Sequence, residues 1–298
     1  IMRYQINGRI HAEINQLRSD QGGTVSGRLS MGNPNLQQIP ARNKDFGPKI
    51  RSLFIPEEGQ KWGSFDYSQQ EPRMTVHYAA SIGEGYEGSQ ELVDAYKNAS
   101  ADFHQTVADL VGIERTQAKT IGLGLMYGMG KNKLANSLGL TKDEAEILIS
   151  KYNRKVPFVK LLSEKCMLTA QDKGVIRTKR GRKCRFDQWE TKDFGLHLPE
   201  TFDNAVAKYG RDNIKRAKTY KALNRLIQGS SADQTKQAMV DCYKAGHLPI
   251  LQIHDELCFN VKNDEDVKLI KKTMEDCIEF KVPFVVDHGT GKSWGGAK

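Results

Sequence analysis

The sequence predicts an α+β protein in which a helical insertion separates the two halves of a sheet. Three observations carry that expectation. The apolar run Lys61-Trp62-Gly63-Ser64-Phe65 ends on Asp66 and gives way to a helical pattern. Two further short apolar runs flank His254-Asp255. Between them, residues 91–128 and the segment opened by the capping box Thr141-Lys142-Asp143-Glu144 read as helices.

Taken in order, the chain starts polar and turn-rich through Asp20-Gln21-Gly22-Gly23, with no strong periodicity. Gly27-Arg28-Leu29-Ser30 and Asn33-Pro34-Asn35-Leu36-Gln37 read as an ordered loop punctuated by Gly, Asn and Pro. A strand should run up to Asp66 and a helix should start soon after Ser68. Pro72 fits only near that helix's first turn, where a missing amide donor matters least. The helices of 91–128 should break near Gly112-Ile113, and Val156-Pro157 should end or kink the next one. Residues 174–187 suggest a hairpin turning near Arg180-Gly181, and 188–217 a charged surface insertion with little apolar content. Leu223, Leu226, Ile227, Ala232 and Met239 give 218–245 helical spacing. A helix over about 264–279 and a last strand at Val282–Val286 complete the chain. No internal repeat, low-complexity tract or linker is evident.

Hydrophobic residues make up 38% of the 298 and charged residues 27%, an ordinary globular balance. No apolar run approaches the eighteen residues of a membrane span, and no signal peptide is visible. A first residue of isoleucine suggests a fragment or a processed piece. The net charge of +9 favours a polyanionic partner. Five scattered cysteines without a Cys-x-x-Cys pair fit neither a zinc site nor a disulfide framework, which points to a reducing compartment.

The chemistry concentrates in two aspartates and one helix. Phosphoryl transfer by two metals needs anionic oxygens that hold two hard cations roughly 3.5–4 Å apart. Asp66 and Asp255 stand at strand ends, where rigid backbone can fix both side chains. Each alone could simply terminate strand pairing. Between them lies Arg115-Thr116-Gln117-Ala118-Lys119, followed by Tyr127-Gly128. On a helix, positions 115, 119, 123 and 127 fall at about 0°, 40°, 80° and 120°, so Arg115, Lys119, Leu123 and Tyr127 share one face over roughly 18 Å. A triphosphate along that face would meet Lys119 as a point charge and Arg115 as a fork. The alternative is a solvated cationic stripe. Gly122, Gly124, Gly128 and Gly130 weaken that alternative, because they lower helix propensity and suit close ligand approach or a hinge.

This ordered set, with Asp66-Tyr67-Ser68-Gln69-Gln70-Glu71-Pro72-Arg73 and Leu251-Gln252-Ile253-His254-Asp255-Glu256-Leu257, resembles motifs A, B and C of the family A (polymerase I-type) DNA polymerases. The resemblance covers about residues 24–298. It implies a palm built on an antiparallel sheet with a helical fingers insertion, in a right-hand architecture whose thumb is mostly absent. The expected parts are a thumb remnant and first palm half at 1–80, fingers at 81–217 and the second palm half at 218–298.

The implied activity is template-directed addition of dNTPs to a primer 3′-hydroxyl. The implied cofactor is two Mg²⁺ ions, with Mn²⁺ as a substitute, held by Asp66, Asp255 and Tyr67. Glu256 is supportive in this scheme. Arg115, Lys119, Leu123, Tyr127 and His104 form the implied nucleotide face. Gln69 approaches the nucleotide or the minor groove, and Glu71 is the steric gate against a ribose 2′-hydroxyl. Ser68-x-x-Glu71 is also a capping box, which competes with the gate. Arg28, Asn35, Gln37, Asn224, Gln228 and His254 match the segments that touch the minor groove of primer-template DNA, where acceptors recur at similar positions on every base pair.

Several positions depart from the family pattern. Gln70 and Pro72 replace aliphatic residues, Ser230-Ser231 replaces Thr-Ala, and Leu123 stands where an aromatic residue is usual. Such departures resemble a viral or otherwise divergent member. An N-terminal thumb or exonuclease region, or a processivity factor, is an expected partner, and the cytoplasm of a bacterium or infected host the expected location. A single-subunit RNA polymerase-like enzyme and a noncatalytic DNA-binding relic remain the alternatives.

Overall fold

The computed structural model describes residues 2–19, 22–40, 43, 45–82, 89–97, 102–193, 195 and 197–297. The principal elements are, in chain order, β1 (Lys61–Tyr67), α1 (Gln70–Ser81), α2 (Phe103–Val111), α3 (Arg115–Met126), α4 (Lys142–Lys155), α5 (Pro157–Lys173), α6 (Ala222–Lys244), β2 (Pro249–Ile253), β3 (Glu256–Val261), α7 (Asp264–Asp276) and β4 (Val286–Gly291). The chain divides into two compact units, Ile1–Arg73 with Gln228–Lys298, and Met74–Ile227.

The first unit is organised by an antiparallel sheet of order β2-β3-β1-β4. Its strands alternate faces, as a two-residue period requires. Phe65, Tyr67, Leu257 and Phe259 point to one side and are 0–1% exposed. There Phe65 meets Phe259 edge-on at 5.5 Å, and the Tyr67 hydroxyl donates to the Met274 carbonyl of α7 at 2.6 Å. Burying each of these large side chains is worth about 1.5–3 kcal/mol. On the other side, Trp62 and Cys258 pack with Met31, Leu36, Ile39 and Trp294 in a second apolar cluster.

The remainder of this unit corrects two expectations. The start of the chain is more ordered than its weak periodicity suggests. Gln5–Ile6 pairs with Arg9–Ile10 across Asn7-Gly8, whose φ values of 50° and 82° suit a tight hairpin turn. Glu13–Asn15 pairs with Ser30–Gly32, while the turn expected at Asp20-Gln21 lies outside the described residues. The last strand is β4, not Val282–Val286. Pro283 has no amide to donate to a ladder, and Val282 and Phe284 serve instead as buried anchors at 0% and 5% exposure.

The second unit is mainly helical. Asp102 caps α2, and Gly112 ends it in the left-handed region at φ 70°, at the expected break. Both bonds of the Thr141–Glu144 capping box form at the start of α4, and Val156-Pro157 separates α4 from α5. Ser89–Lys97 is helical, whereas 98–101, within the expected helical stretch, lies outside the described residues. Val175–Arg177 and Lys183–Arg185 pair as the expected hairpin.

The stretch 188–217 is not only a charged surface. Trp189–Thr191 pairs with Ile214–Arg216, and Phe202–Tyr209 is a helix. Trp189 contacts Phe202 at 5.0 Å and carries the Arg216 guanidinium at 4.6 Å, so a few aromatic and aliphatic groups fold the segment.

Candidate active site

Asp66 is the penultimate residue of β1, and Asp255 lies in the two-residue turn joining β2 to β3, where Ile253 pairs with Glu256. His254 opens that turn with φ 58°, a conformation few non-glycine residues adopt. The Tyr67 amide donates to the Asp255 carbonyl at 3.4 Å, tying the end of β1 to the turn. Two more carboxylates join by register. Glu256 on β3 and Asp287 on β4 stand directly opposite Asp66, on its two sides. Directly opposed residues share a face, and like charges there repel.

The electrostatics follow from that crowding. Surrounding protein disfavours the Asp66 anion, and the charges of Asp255, Glu256 and Asp287 add to the effect, raising its carboxyl to about 7. Asp66 nevertheless keeps some contact with solvent. Asp255 is also raised, by burial and then by Glu71, against the opposing charges of Arg28 and His254. Among the described residues, no three His, Cys, Asp or Glu side chains converge as a preformed metal cage. Mutually repelling carboxylates suit a hard dication such as Mg²⁺, which takes few protein oxygens and keeps its waters. The Tyr67 phenol is buried on the opposite face of the sheet, so only its main-chain carbonyl could join such a site.

Glu71 sits in the first turn of α1 with its side chain 12% exposed, and the Arg28 guanidinium donates to it at 2.6 Å. The alternative capping box is out of register. The helix begins at Gln70, and the preceding Gln69 occupies the left-handed region at φ 53°. Gln37 donates to Gln252 at 2.9 Å, and Gln252 donates in turn to the His254 carbonyl, joining two predicted minor-groove residues through a third. Asn35 uses its side-chain oxygen to cap the Leu36–Gln38 turn. Asn224 and Gln228 lie one turn apart on α6, each half-buried.

In the second unit, Arg115 opens α3 and Lys119 follows one turn later. Lys119 is exposed and makes no ion pair among the described residues. Arg115 is already clamped, its Nε and Nη2 donating to one oxygen of Asp102 at 2.8 and 2.6 Å. The other Asp102 oxygen accepts the His104 and Gln105 amides. Burial alone would raise Asp102, but Arg115 and those amides outweigh it and hold the group below the usual carboxylate range. His104 is driven down to about 4, first by burial and then by Lys119 and Arg115, with Asp102 opposing. Its buried Nδ1 has no hydrogen-bond partner. Leu123 and Tyr127 complete the face, half-buried, with Tyr127 at the helix C-cap.

Two of the helix glycines also have packing neighbours. Gly122 is buried, with Tyr152 Oη 3.5 Å and Phe103 3.7 Å from where a Cβ would stand. At Gly124 a Cβ would lie 3.0 Å from the Met129 sulfur. Gly124 thus packs tightly within its own unit, whereas Gly122 has room for a methyl group at ordinary contact distance.

The residues that sequence reading did not select are Asp102, Asp287 and Gln252. Asp102-Phe103-His104 carried the helix-cap signal for the first. The other two depend on strand register and on a long-range pairing.

Comparison with known proteins supplies an independent finding. The sequence pattern described as DNA polymerase family A matches residues 1–296. The chain is 38% identical to a DNA-directed DNA polymerase of Pseudomonas phage M6, over 98% of this chain and 48% of the phage protein. It is 34% identical to DNA polymerase I of Lactococcus lactis subsp. cremoris, over 98% of this chain and 32% of that enzyme. It thus spans about half or less of the length of these relatives. Among solved structures it is similar to the POL domain of Pol1 from M. smegmatis in complex with DNA primer-template and dNTP. There the TM-score is 0.78 and the identity 29%, covering 99% of this chain and 49% of the other.

Proposed function

We propose that this chain, which belongs to DNA polymerase family A, extends a primer 3′-hydroxyl with dNTPs under the direction of a template strand. The observation that carries the reading is the pair Asp66 and Asp255, fixed by β1 and the β2–β3 turn and crowded by further carboxylates. In this reading the first unit is the palm and the second the fingers.

Asp66 and Asp255, with the Tyr67 carbonyl, would hold two Mg²⁺ or Mn²⁺ ions. When bound, such ions sharpen an attacking hydroxyl and neutralise a leaving pyrophosphate. Lys119 meets the triphosphate as a point charge, and its exposure without an ion pair leaves it available. Arg115 binds the terminal phosphate in competition with Asp102, which meanwhile orients the guanidinium. His104 is neutral at pH 7, so it offers the phosphates an N–H rather than a charge. Glu71, held by Arg28, crowds the sugar. Leu123 lines the nucleotide-facing side of α3. Gln69 and the amide-bearing residues Asn35, Gln37, Asn224 and Gln228, with Arg28 and His254, track primer-template DNA.

Primer extension with single dNTPs on defined templates tests the reading. Incorporation should follow the template base and favour dNTPs over NTPs. Efficient extension with NTPs would support the RNA polymerase-like alternative, and DNA binding without extension the noncatalytic one.

A further inference from the structure

We infer that Trp294 is a positioning residue for the acidic face of β1 and β3, acting through Glu256. The inference rests on the polymerase reading above. The Trp294 indole Nε1 donates to Glu256 Oε1 at 3.2 Å, and the Cys258 thiol reaches the same oxygen at 3.5 Å. Glu256 stands directly opposite Asp66 and follows Asp255 in the chain. Placed between two like charges, a glutamate with free rotamers would swing away from them. The indole prevents that.

The donor itself is fixed on every side. Trp294 is 2% exposed and stacks on Trp62, with centroids 6.1 Å apart and planes at 20°. Phe54 meets it edge-on at 5.6 Å, and the Arg51 guanidinium lies 4.1 Å from its ring centre. Its amide donates to the Phe54 carbonyl at 2.9 Å. The turn that carries it leaves no room for a side chain at Gly295, where a Cβ would stand 2.5 Å from the Pro48 carbonyl oxygen. A purely structural indole in this cluster would need the ring alone. This one also directs its only N–H at a carboxylate beside the reacting centre.

The test is a cycle of W294F, E256A and the double variant, read by single-turnover dNTP incorporation across a Mg²⁺ titration, with a melting curve for each protein. W294F keeps an aromatic ring and loses the N–H. Its incorporation rate should fall roughly 10-fold, the scale of one hydrogen bond to a charged group, and its Mg²⁺ half-saturation should rise. Primer-template affinity should stay as in the wild type. In the E256A background, W294F should add no further loss. W294H packs worse but restores a donor, so it should recover part of the rate relative to W294F. A packing role predicts the opposite order and equal losses in both backgrounds, and either result overturns the inference. An unchanged W294F rate does the same. Wild-type protein that fails to extend a primer at all would instead remove the underlying reading.

Discussion

At the residue scale, Lys119 and Glu71 make separable predictions. Lys119→Ala removes an exposed cation that makes no ion pair among the described residues, so stability should change little while dNTP affinity and incorporation rate fall at unchanged DNA affinity. Glu71→Ala strands the Arg28 guanidinium and should cost about 1.5–3 kcal/mol of stability. It should also raise ribonucleotide incorporation, which a melting curve beside an NTP assay will show. Asp66 gives a pH prediction. Its folded pKa, about 7, lies above the ordinary aspartate value, so the folded state binds the extra proton. Its contribution to stability should therefore fall as pH rises from about 4 to 7. His104, lowered to about 4, works the other way, losing stability as pH drops below the usual histidine range. Melting without divalent ions should isolate the first effect as the difference between wild type and Asp66→Asn, which should shrink as pH falls from about 7 to about 4. Asp66, Asp255, Lys119 and Arg115 could be selected as candidates from local motifs. Asp287 and Gln252 were not, because a residue's cross-strand neighbour depends on register.

At the scale of elements, turn and cap chemistry was the readable part. Asp66 stands one residue before the end of its strand, the Thr141 box opens α4, and Pro157 starts α5. The failures have physical causes. Asn7-Gly8 formed a hairpin from strands too short to show periodicity, and the 188–217 segment folds around Trp189 and Phe202 despite its charge. Glycines in α3 suggested ligand approach or a hinge, and Gly124 also has a tight packing neighbour in Met129. The need for flexibility is testable at Gly122. A Cβ there would meet Tyr152 and Phe103 at ordinary contact distance. Gly122→Ala should stabilise the protein by about 0.5–1 kcal/mol through helix propensity. Incorporation should be retained. A large rate loss with raised stability would show that the position must flex.

At the scale of the whole molecule, the charge of +9 and the two site-bearing units set the expectations. Primer-template affinity should fall steeply with salt. If some six to ten phosphates are contacted, about 10³- to 10⁵-fold should be lost between 50 and 200 mM salt. A filter-binding or anisotropy titration at several salt concentrations reads the slope. The palm and fingers were readable from motif order because the sheet-forming motifs bracket the helical one. If Asp66 and Asp255 together carry the polymerase chemistry, neither can be neutralised without loss of turnover. Single-turnover incorporation by Asp66→Asn and Asp255→Asn, with DNA affinity measured in parallel, decides this. Each variant should bind primer-template as the wild type does and lose at least about 10³-fold in rate, the scale of an electrostatic group acting at the reacting centre. Either variant extending primers within tenfold of wild type would contradict that role.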